Sequence, residues 1–266
     1  MTLSDISMLF GSPIEPVLLT GGQGQTLRSG EIVLKPVSNQ LEAEELGKML
    51  EGIEPGANVR IPRQLKSTNA KWIEHGYVAW EYLPGKEETA RYREKMQICD
   101  HFSEAFAHID RPDFLDRRTN PWAIADRVCW GEMDKEYPAP FQQMKETILS
   151  SLPSLRLPNQ IIHGDIAGNI LFSESNPPAV IDLTIYWRPK DFAKALLLVD
   201  AITWEDASTD ISELVRGLPE IEQLILRAGL RRMLEYVEQL PYRKSMANAV
   251  ADSRKYFSTL ELLGLL

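Results

Sequence analysis

The residues whose types and spacing could do chemistry lie in one short stretch. Ile161-Ile162-His163-Gly164-Asp165-Ile166-Ala167-Gly168-Asn169-Ile170-Leu171-Phe172 precedes a turn-rich run, Ser173 to Pro178, and then Ala179-Val180-Ile181-Asp182. Apolar runs on both sides of the turn predict two short strands forming a hairpin. Asp165 and Asn169 then fall on the loop before it, and Asp182 ends the second strand. Such a hairpin brings Asp182 back beside the loop. Two carboxylates and an amide oxygen meeting there are the hard oxygen donors that Mg²⁺ takes, with phosphate oxygens and water completing its octahedron. The plainer alternative is an ordinary hairpin whose Asp and Asn are turn formers.

A second set of candidates lies upstream. Leu19-Thr20-Gly21-Gly22-Gln23-Gly24-Gln25 falls between two predicted strands. Gly21, Gly22 and Gly24 would let backbone N–H groups approach phosphates without side-chain collision, and they would equally serve a tight turn. Ile32-Val33-Leu34-Lys35 is an apolar strand ending in one cation, placed for the α- and β-phosphates of a nucleotide. An amphipathic helix follows over Gln40 to Ile53, with Asn39 as its N-cap and Leu46, Met49, Leu50 and Ile53 recurring on one face. Glu42 and Glu45 fall near that face and are the candidates to hold Lys35. Glu42 ranks ahead, although it could instead complete the cap with Asn39.

The stretch around Asp165 resembles the catalytic loop and metal-binding strand of the aminoglycoside phosphotransferase and choline kinase-like family, relatives of the protein kinases. That family's pattern is His-Gly-Asp, four residues, Asn, and then Ile-Asp on the next strand. His163, Gly164, Asp165, Asn169, Ile181 and Asp182 supply every residue type, with three residues rather than four between Asp165 and Asn169. Four fixed letters at a set spacing arise by chance in roughly one chain of this length in a thousand.

The resemblance implies an α+β, bilobal protein-kinase-like fold, with a small antiparallel-sheet N-lobe and a larger helical C-lobe. It implies that Asp165 accepts or orients the proton of an attacking hydroxyl. Asn169 and Asp182 would hold Mg²⁺, Lys35 would reach the nucleotide phosphates, and His163 would organise the loop. Trp80-Glu81-Tyr82-Leu83 would be the hinge, with Glu81 and Leu83 receiving adenine through backbone groups, or else plain core. Kinase-like folds also place an Asp on a buried helix beneath the catalytic loop to accept its backbone N–H groups. Asp200 is the candidate, Asp191 its rival, and an exposed helix edge the alternative for Asp200. Leu183-Thr184 stands where protein kinases have Phe-Gly, and no Ala-Pro-Glu segment follows, which argues against activation-loop switching. The aromatics of Tyr186-Trp187-Arg188-Pro189 and Arg188 either line a substrate pocket or lock the loop onto the helical lobe.

These groups need elements to position them. The first third reads as short strands, Pro16 to Thr20, Gln25 to Ser29, Glu31 to Pro36, Arg60 to Leu65, Lys71 to Glu74 and Tyr77 to Leu83, around the one helix. Beyond Glu87 the texture is helical: Thr89 to Ile109, Pro121 to Trp130, Pro140 to Leu152, Lys190 to Thr203, Ile211 to Ala228, Leu230 to Gln239 and Arg243 to Leu263. The shift near Tyr82 to Gly85 predicts a nucleotide-binding lobe over 1–83 and a catalytic, substrate-binding helical lobe over 84–266.

Composition sets the outer limits. Of 266 residues, 44% are apolar and 25% charged, which excludes a mostly disordered chain. The net charge of −9 repels nucleic acid, and the densest basic cluster, Arg227, Arg231 and Arg232, reads as a solvated helix face. The longest aliphatic run, Ala195 to Val199, is too short for a membrane span. Two cysteines without a Cys-x-x-Cys pair, and no secretory signal in Met1 to Phe10, fit a cytoplasmic protein.

The expected function is a Mg²⁺-dependent kinase moving the γ-phosphate of ATP or GTP to a hydroxyl of a small substrate. Aminoglycosides, sugars and amino alcohols are all open as acceptors. Glu205, Asp206 and Asp210 are either amine contacts or a solvated helix start. The alternative is a nucleotide-binding pseudokinase or regulatory scaffold without turnover, kept open by the short loop and by the undecided partner of Lys35.

Overall fold

A computed structural model describes residues 1–19, 24–54, 56–242 and 245–266. In chain order the described elements begin with α1 (Leu3–Leu9), β1 (Val17–Leu18), β2 (Leu27–Ser29), β3 (Ile32–Pro36), α2 (Gln40–Leu50), β4 (Gln64–Leu65), β5 (Tyr77–Glu81) and β6 (Lys86–Glu87). They continue with α3 (Tyr92–Ala105), α4 (Pro121–Cys129), α5 (Ala139–Ser150), β7 (Asn159–His163), β8 (Ile170–Phe172), β9 (Ala179–Val180) and β10 (Ile185–Pro189). Three helices close the chain: α6 (Phe192–Trp204), α7 (Ile221–Glu238) and α8 (Met246–Leu262). The chain divides into two compact units, 1–87 with 170–182, and 88–169 with 183–266.

The first unit is built on an antiparallel sheet in the order β1-β2-β3-β5-β4. Leu27, Ile32, Leu34 and Ala79 form its apolar face, and Ile6 and Phe10 from the first helix cover it. Composition gives that seven-residue helix no periodic signal, yet Thr2 caps it. The Asp5 backbone N–H donates to Thr2 Oγ1, and Asp5 Oδ2 accepts from the Thr2 backbone N–H at 2.7 Å. Asn39 caps α2 as its sequence predicts, accepting from the Glu42 backbone N–H at 3.2 Å.

The hairpin of β8 and β9 joins this unit, with Ile170 opposite Val180 and β6 paired along the other edge of β8. Arg60 fastens it. Its backbone N–H donates to the Pro178 carbonyl, its own carbonyl accepts from Val180, and its guanidinium reaches the carbonyls of Pro177 and Pro84.

The second unit is helical around α6, whose residues from Phe192 to Ala201 are all buried. A helix apolar on every side has to be a central one. Two strands, β7 and β10, pair antiparallel with His163 opposite Ile185. Ile185–Pro189 thus forms a strand in the segment read as either pocket lining or lock. Ile221–Glu238 is one helix where a break at Gly229 was expected. That glycine does not interrupt it but admits a neighbour: a Cβ there would stand 2.8 Å from the Leu260 side chain of α8.

The cluster Arg227, Arg231 and Arg232 overturns its reading as a solvated face. All three are buried, because α7 is enclosed by α4, α6 and α8 and each guanidinium meets a carbonyl or a carboxylate inside. Arg227 donates to the Cys129 carbonyl at 2.6 Å, and Arg231 lies 3.0 Å from Glu235. Among the described residues no helix is long and apolar enough to cross a membrane.

Candidate active site

In the first unit the sheet delivers Lys35 to Asp182. The strand β3 pairs Lys35 with Val78 of β5, and the side chain reaches Asp182, with Nζ donating to Oδ1 at 2.8 Å. Residues 147 positions apart are thereby joined through the edge-fastened hairpin. Asp182 takes φ +53°, the left-handed region that Asp and Asn tolerate better than other side chains. Its side chain is 60% exposed, so a carboxylate held in an unusual backbone conformation faces outward beside an ammonium.

Other predicted nucleotide residues sit in the same unit. Gly24 is at φ +69°, whereas Gly21 and Gly22 lie outside the described residues. Glu42 occupies the first turn of α2. Glu81 ends β5 opposite Ile32, its carboxylate accepting from Arg63 Nε at 3.2 Å. Together with Leu83 it lines a hollow of about 360 Å³ floored by Leu50, Ile53, Val59 and Ile61. Tyr82 lies under the Arg28 guanidinium, 3.5 Å from its ring centre.

The second unit carries His163, Asp165 and Asn169. His163 ends β7 fully buried, edge-on to Phe102 at 5.5 Å. Its Nδ1 accepts from the Asp165 backbone N–H at 3.1 Å, and the Thr184 N–H lies 3.5 Å from Nε2. The ring is thus turned onto the backbone that it organises. Gly164 is required by space: a Cβ would fall 2.5 Å from Tyr186 Cε2 and 3.1 Å from Arg231 Nη1. Tyr186 itself is fixed between two guanidiniums, Arg231 at 4.2 Å and Arg118 at 5.3 Å from its ring. The three-residue spacing closes as a tight turn. Asn169 N–H donates to the Ile166 carbonyl at 3.1 Å and its Nδ2 to the Asp165 carbonyl at 2.6 Å. The hydrogen-bond network assigns Nδ2 to the backbone, which leaves Oδ1 as the acceptor end of the amide.

Asp165 is half exposed, and its Oδ1 accepts from Arg232 Nη2 at 2.8 Å. Partial burial works to raise its carboxyl, but the Arg232 charge and hydrogen bond, helped by His163 and Arg231, outweigh it and hold the group below the ordinary carboxylate range. Asp200 is buried as expected, but its partners are side chains rather than loop backbone. It accepts from Arg232 Nε at 3.0 Å and from Tyr256 OH at 2.7 Å. The rival, Asp191, pairs instead with Lys194 at 3.0 Å.

A hollow of about 370 Å³ opens beside Asp165, lined by Trp122, Trp204, Glu205, Tyr236 and Arg232. Of the acidic trio only Glu205 reaches it, accepting from Tyr92 OH at 3.0 Å, while Asp210 bonds Ser208. Arg188, with Tyr186 and Trp187, lines a small hollow of about 40 Å³ whose lining does not include Asp165. Arg188 is buried against Asp126 and Glu132, with four hydrogen bonds of 2.5–3.0 Å, and locks β10 to α4. Arg232 and Tyr256 were missed in the sequence because an arginine between Leu230 and Leu234 has the spacing of a surface face. The one available signal was that Arg231 and Arg232 sit between Leu230 and Met233-Leu234.

The donor chemistry suits magnesium. Asp182 and Asn169 offer hard oxygen donors. Among the described residues no cluster of three His, Cys, Asp or Glu could cage a metal by itself.

Neither a protein-family model nor a curated protein matches the sequence. Solved structures do match along nearly the whole chain. A choline/ethanolamine kinase family protein from Mesorhizobium loti is 16% identical, with a TM-score of 0.63 over 98% of this chain and 92% of that one. Spectinomycin phosphotransferase, solved with ADP and spectinomycin, is 13% identical, with a TM-score of 0.61 over 99% of this chain and 98% of that one. An aminoglycoside phosphotransferase from Alicyclobacillus acidocaldarius is 14% identical, with a TM-score of 0.58 over 99% and 93%. The fold is that of the aminoglycoside phosphotransferases. The expected α+β, protein-kinase-like architecture is therefore the one this chain adopts.

Proposed function

We propose that the protein is a small-molecule kinase that moves the γ-phosphoryl group of a nucleoside triphosphate to a hydroxyl acceptor. The observation that carries this reading is the pairing of Lys35 with Asp182 at 2.8 Å. An ammonium and an outward carboxylate in that relation suit a phosphate chain and its counter-cation, and the fold's solved relatives include phosphotransferases bound to ADP. Lys35 grips the α- and β-phosphates, and Gly21, Gly22 and Gly24 cover them with backbone N–H groups. Glu81 and Leu83 receive the base, and Glu42 steadies Lys35. Asp182 of the first unit and Asn169 of the second would each offer an oxygen to Mg²⁺, which when bound would neutralise charge on the phosphate oxygens.

Asp165 orients the acceptor hydroxyl. Its Oδ1 is taken by Arg232, and among the described residues Oδ2 has no protein partner, so Oδ2 is the oxygen left for the acceptor. As the acceptor oxygen bonds to the γ-phosphorus, the bond to the bridging oxygen breaks and its electron pair leaves on the nucleoside diphosphate. The hydroxyl proton passes to Asp165 and then to solvent. His163 takes no part in that transfer and holds the loop. The hollow lined by Trp122, Trp204 and Glu205 receives the acceptor.

A thermal-shift screen of ATP and GTP with Mg²⁺, crossed with aminoglycosides, sugars and amino alcohols, tests the reading. Stabilising pairs are then assayed for coupled release of nucleoside diphosphate. Acceptor-dependent release is the expected result. Nucleotide binding without release across the whole panel would instead identify a scaffold.

A further inference from the structure

Arg232 presents one guanidinium to three carboxylates. Its Nε and Nη2 fork onto Asp200 at 3.0 and 2.5 Å, Nη1 reaches Glu235 at 3.0 Å, and Nη2 also meets Asp165 Oδ1 at 2.8 Å. Asp200 is braced in turn by Tyr256 OH at 2.7 Å, and Tyr256 OH accepts from Trp204 Nε1 at 2.8 Å. Arg232, Asp200 and Glu235 are each under one-tenth exposed, whereas Asp165 is half exposed. Three donors of a planar fork are therefore spent on buried anchors that cannot swing. All four line the hollow, and the fourth contact goes to the one member of the group whose side chain is half exposed there. A guanidinium needed only to neutralise Asp200 would have no use for Asp165, which solvent could satisfy.

We propose that Arg232 is a positioning residue for the transfer step. Clamped by Asp200 and Glu235, it holds Asp165 Oδ1 and so aims Oδ2 at the acceptor hydroxyl. The inference rests on reading Asp165 as the group that orients that hydroxyl. It adds a device absent from the His-Gly-Asp motif itself, because the aiming residue comes from a helix 67 positions downstream. Its mechanical logic is that of a fixed second contact. A half-exposed carboxylate alone samples several rotamers, and misplacement by about 1 Å can cost ~10²-fold in rate.

The test uses the full chain with Arg232→Ala, Arg232→Lys and Tyr256→Phe, each measured for kcat and for KM of nucleotide and acceptor. Arg232→Ala is expected to lower kcat ~10²-fold with nucleotide KM changed by no more than about twofold. Added guanidinium chloride at millimolar concentration should restore part of that kcat. Arg232→Lys, which keeps the charge but loses the fork, should fall between, and Tyr256→Phe should lose a few-fold, on the order of one braced hydrogen bond. A kcat that drops only with the folded fraction, or no rescue by guanidinium, would overturn the proposal.

An arginine-selective ¹⁵N–¹H spectrum gives a readout free of turnover. The Arg232 guanidinium resonances should move in Asp165→Asn, and unmoved resonances would also overturn the proposal. Moved resonances in a protein that transfers no phosphate to any acceptor would leave the clamp standing and defeat the kinase reading alone.

Discussion

Asp182 carries two properties at once, a charge beside Lys35 and a left-handed backbone, and substitutions can separate them. Asn tolerates the same backbone, so Asp182→Asn should melt close to the wild type yet lose turnover ~10²-fold or more, because only the charge facing the phosphates is gone. Asp182→Ala should lose the same activity and, in addition, about 1–3 kcal/mol of stability from a strained φ. Thermal melts beside coupled assays distinguish the two, and equal melting of both variants would refute the strain argument. Gly164 poses the opposite case, one of space alone. Gly164→Ala should cost about 1–3 kcal/mol by overpacking against the held Tyr186 ring, read as a lowered denaturant midpoint. At this scale the candidate site was legible as a pattern. His163, Asp165, Asn169, Lys35 and Asp182 are recognisable by type and spacing. Arg232 was not, since the contact that gives it meaning is to Asp165, a residue far away in sequence.

Between β10 and α4 the lock is ionic and mostly buried. Arg188 forks onto Asp126, whose side chain is only 3% exposed, and onto the more exposed Glu132. Arg188→Met should therefore destabilise by up to roughly 3–5 kcal/mol, because it leaves the buried Asp126 with Arg231, 3.8 Å away, as its remaining charge partner. The double variant Arg188→Met with Asp126→Leu should recover most of that loss. Chemical denaturation of the four proteins checks it, and strictly additive losses would contradict it.

The His163–Asn169 loop should shift with the single variant, since β10 is the strand paired to β7, which leads into the loop. Long periodic helices such as α3 and α8 and the capped α2 could be read from sequence. The first helix and β10 could not. The former is too short for periodicity and rests on one Thr-Asp capping pair, and the latter is a buried strand with a charged residue in it. Gly229 misled for the converse reason, a glycine serving close helix contact where a break is the commoner use.

Over the whole molecule, the fold assembles from two units whose membership does not follow the chain. Residues 170–182 join 1–87 through Arg60, β6 and the Lys35–Asp182 pair, although they follow the His163–Asn169 loop in sequence. A shift in composition marks only contiguous boundaries, so nothing local announces that exchange. Its consequence is functional, since it is this hairpin that carries Asp182 to the lysine of the sheet. The motif made the protein-kinase-like architecture legible, while identity of at most 16% to the solved relatives compared above leaves acceptor identity to experiment.

The most direct trial is transfer of labelled phosphate from γ-³²P nucleotide, with Mg²⁺, to an acceptor found by the ligand screen, in wild type and Asp165→Asn side by side. Labelled acceptor from the wild type, reduced ~10²-fold or more in the variant, is the predicted result. Labelling that survives undiminished in Asp165→Asn, or none from the wild type with any hydroxylated acceptor, would contradict the account.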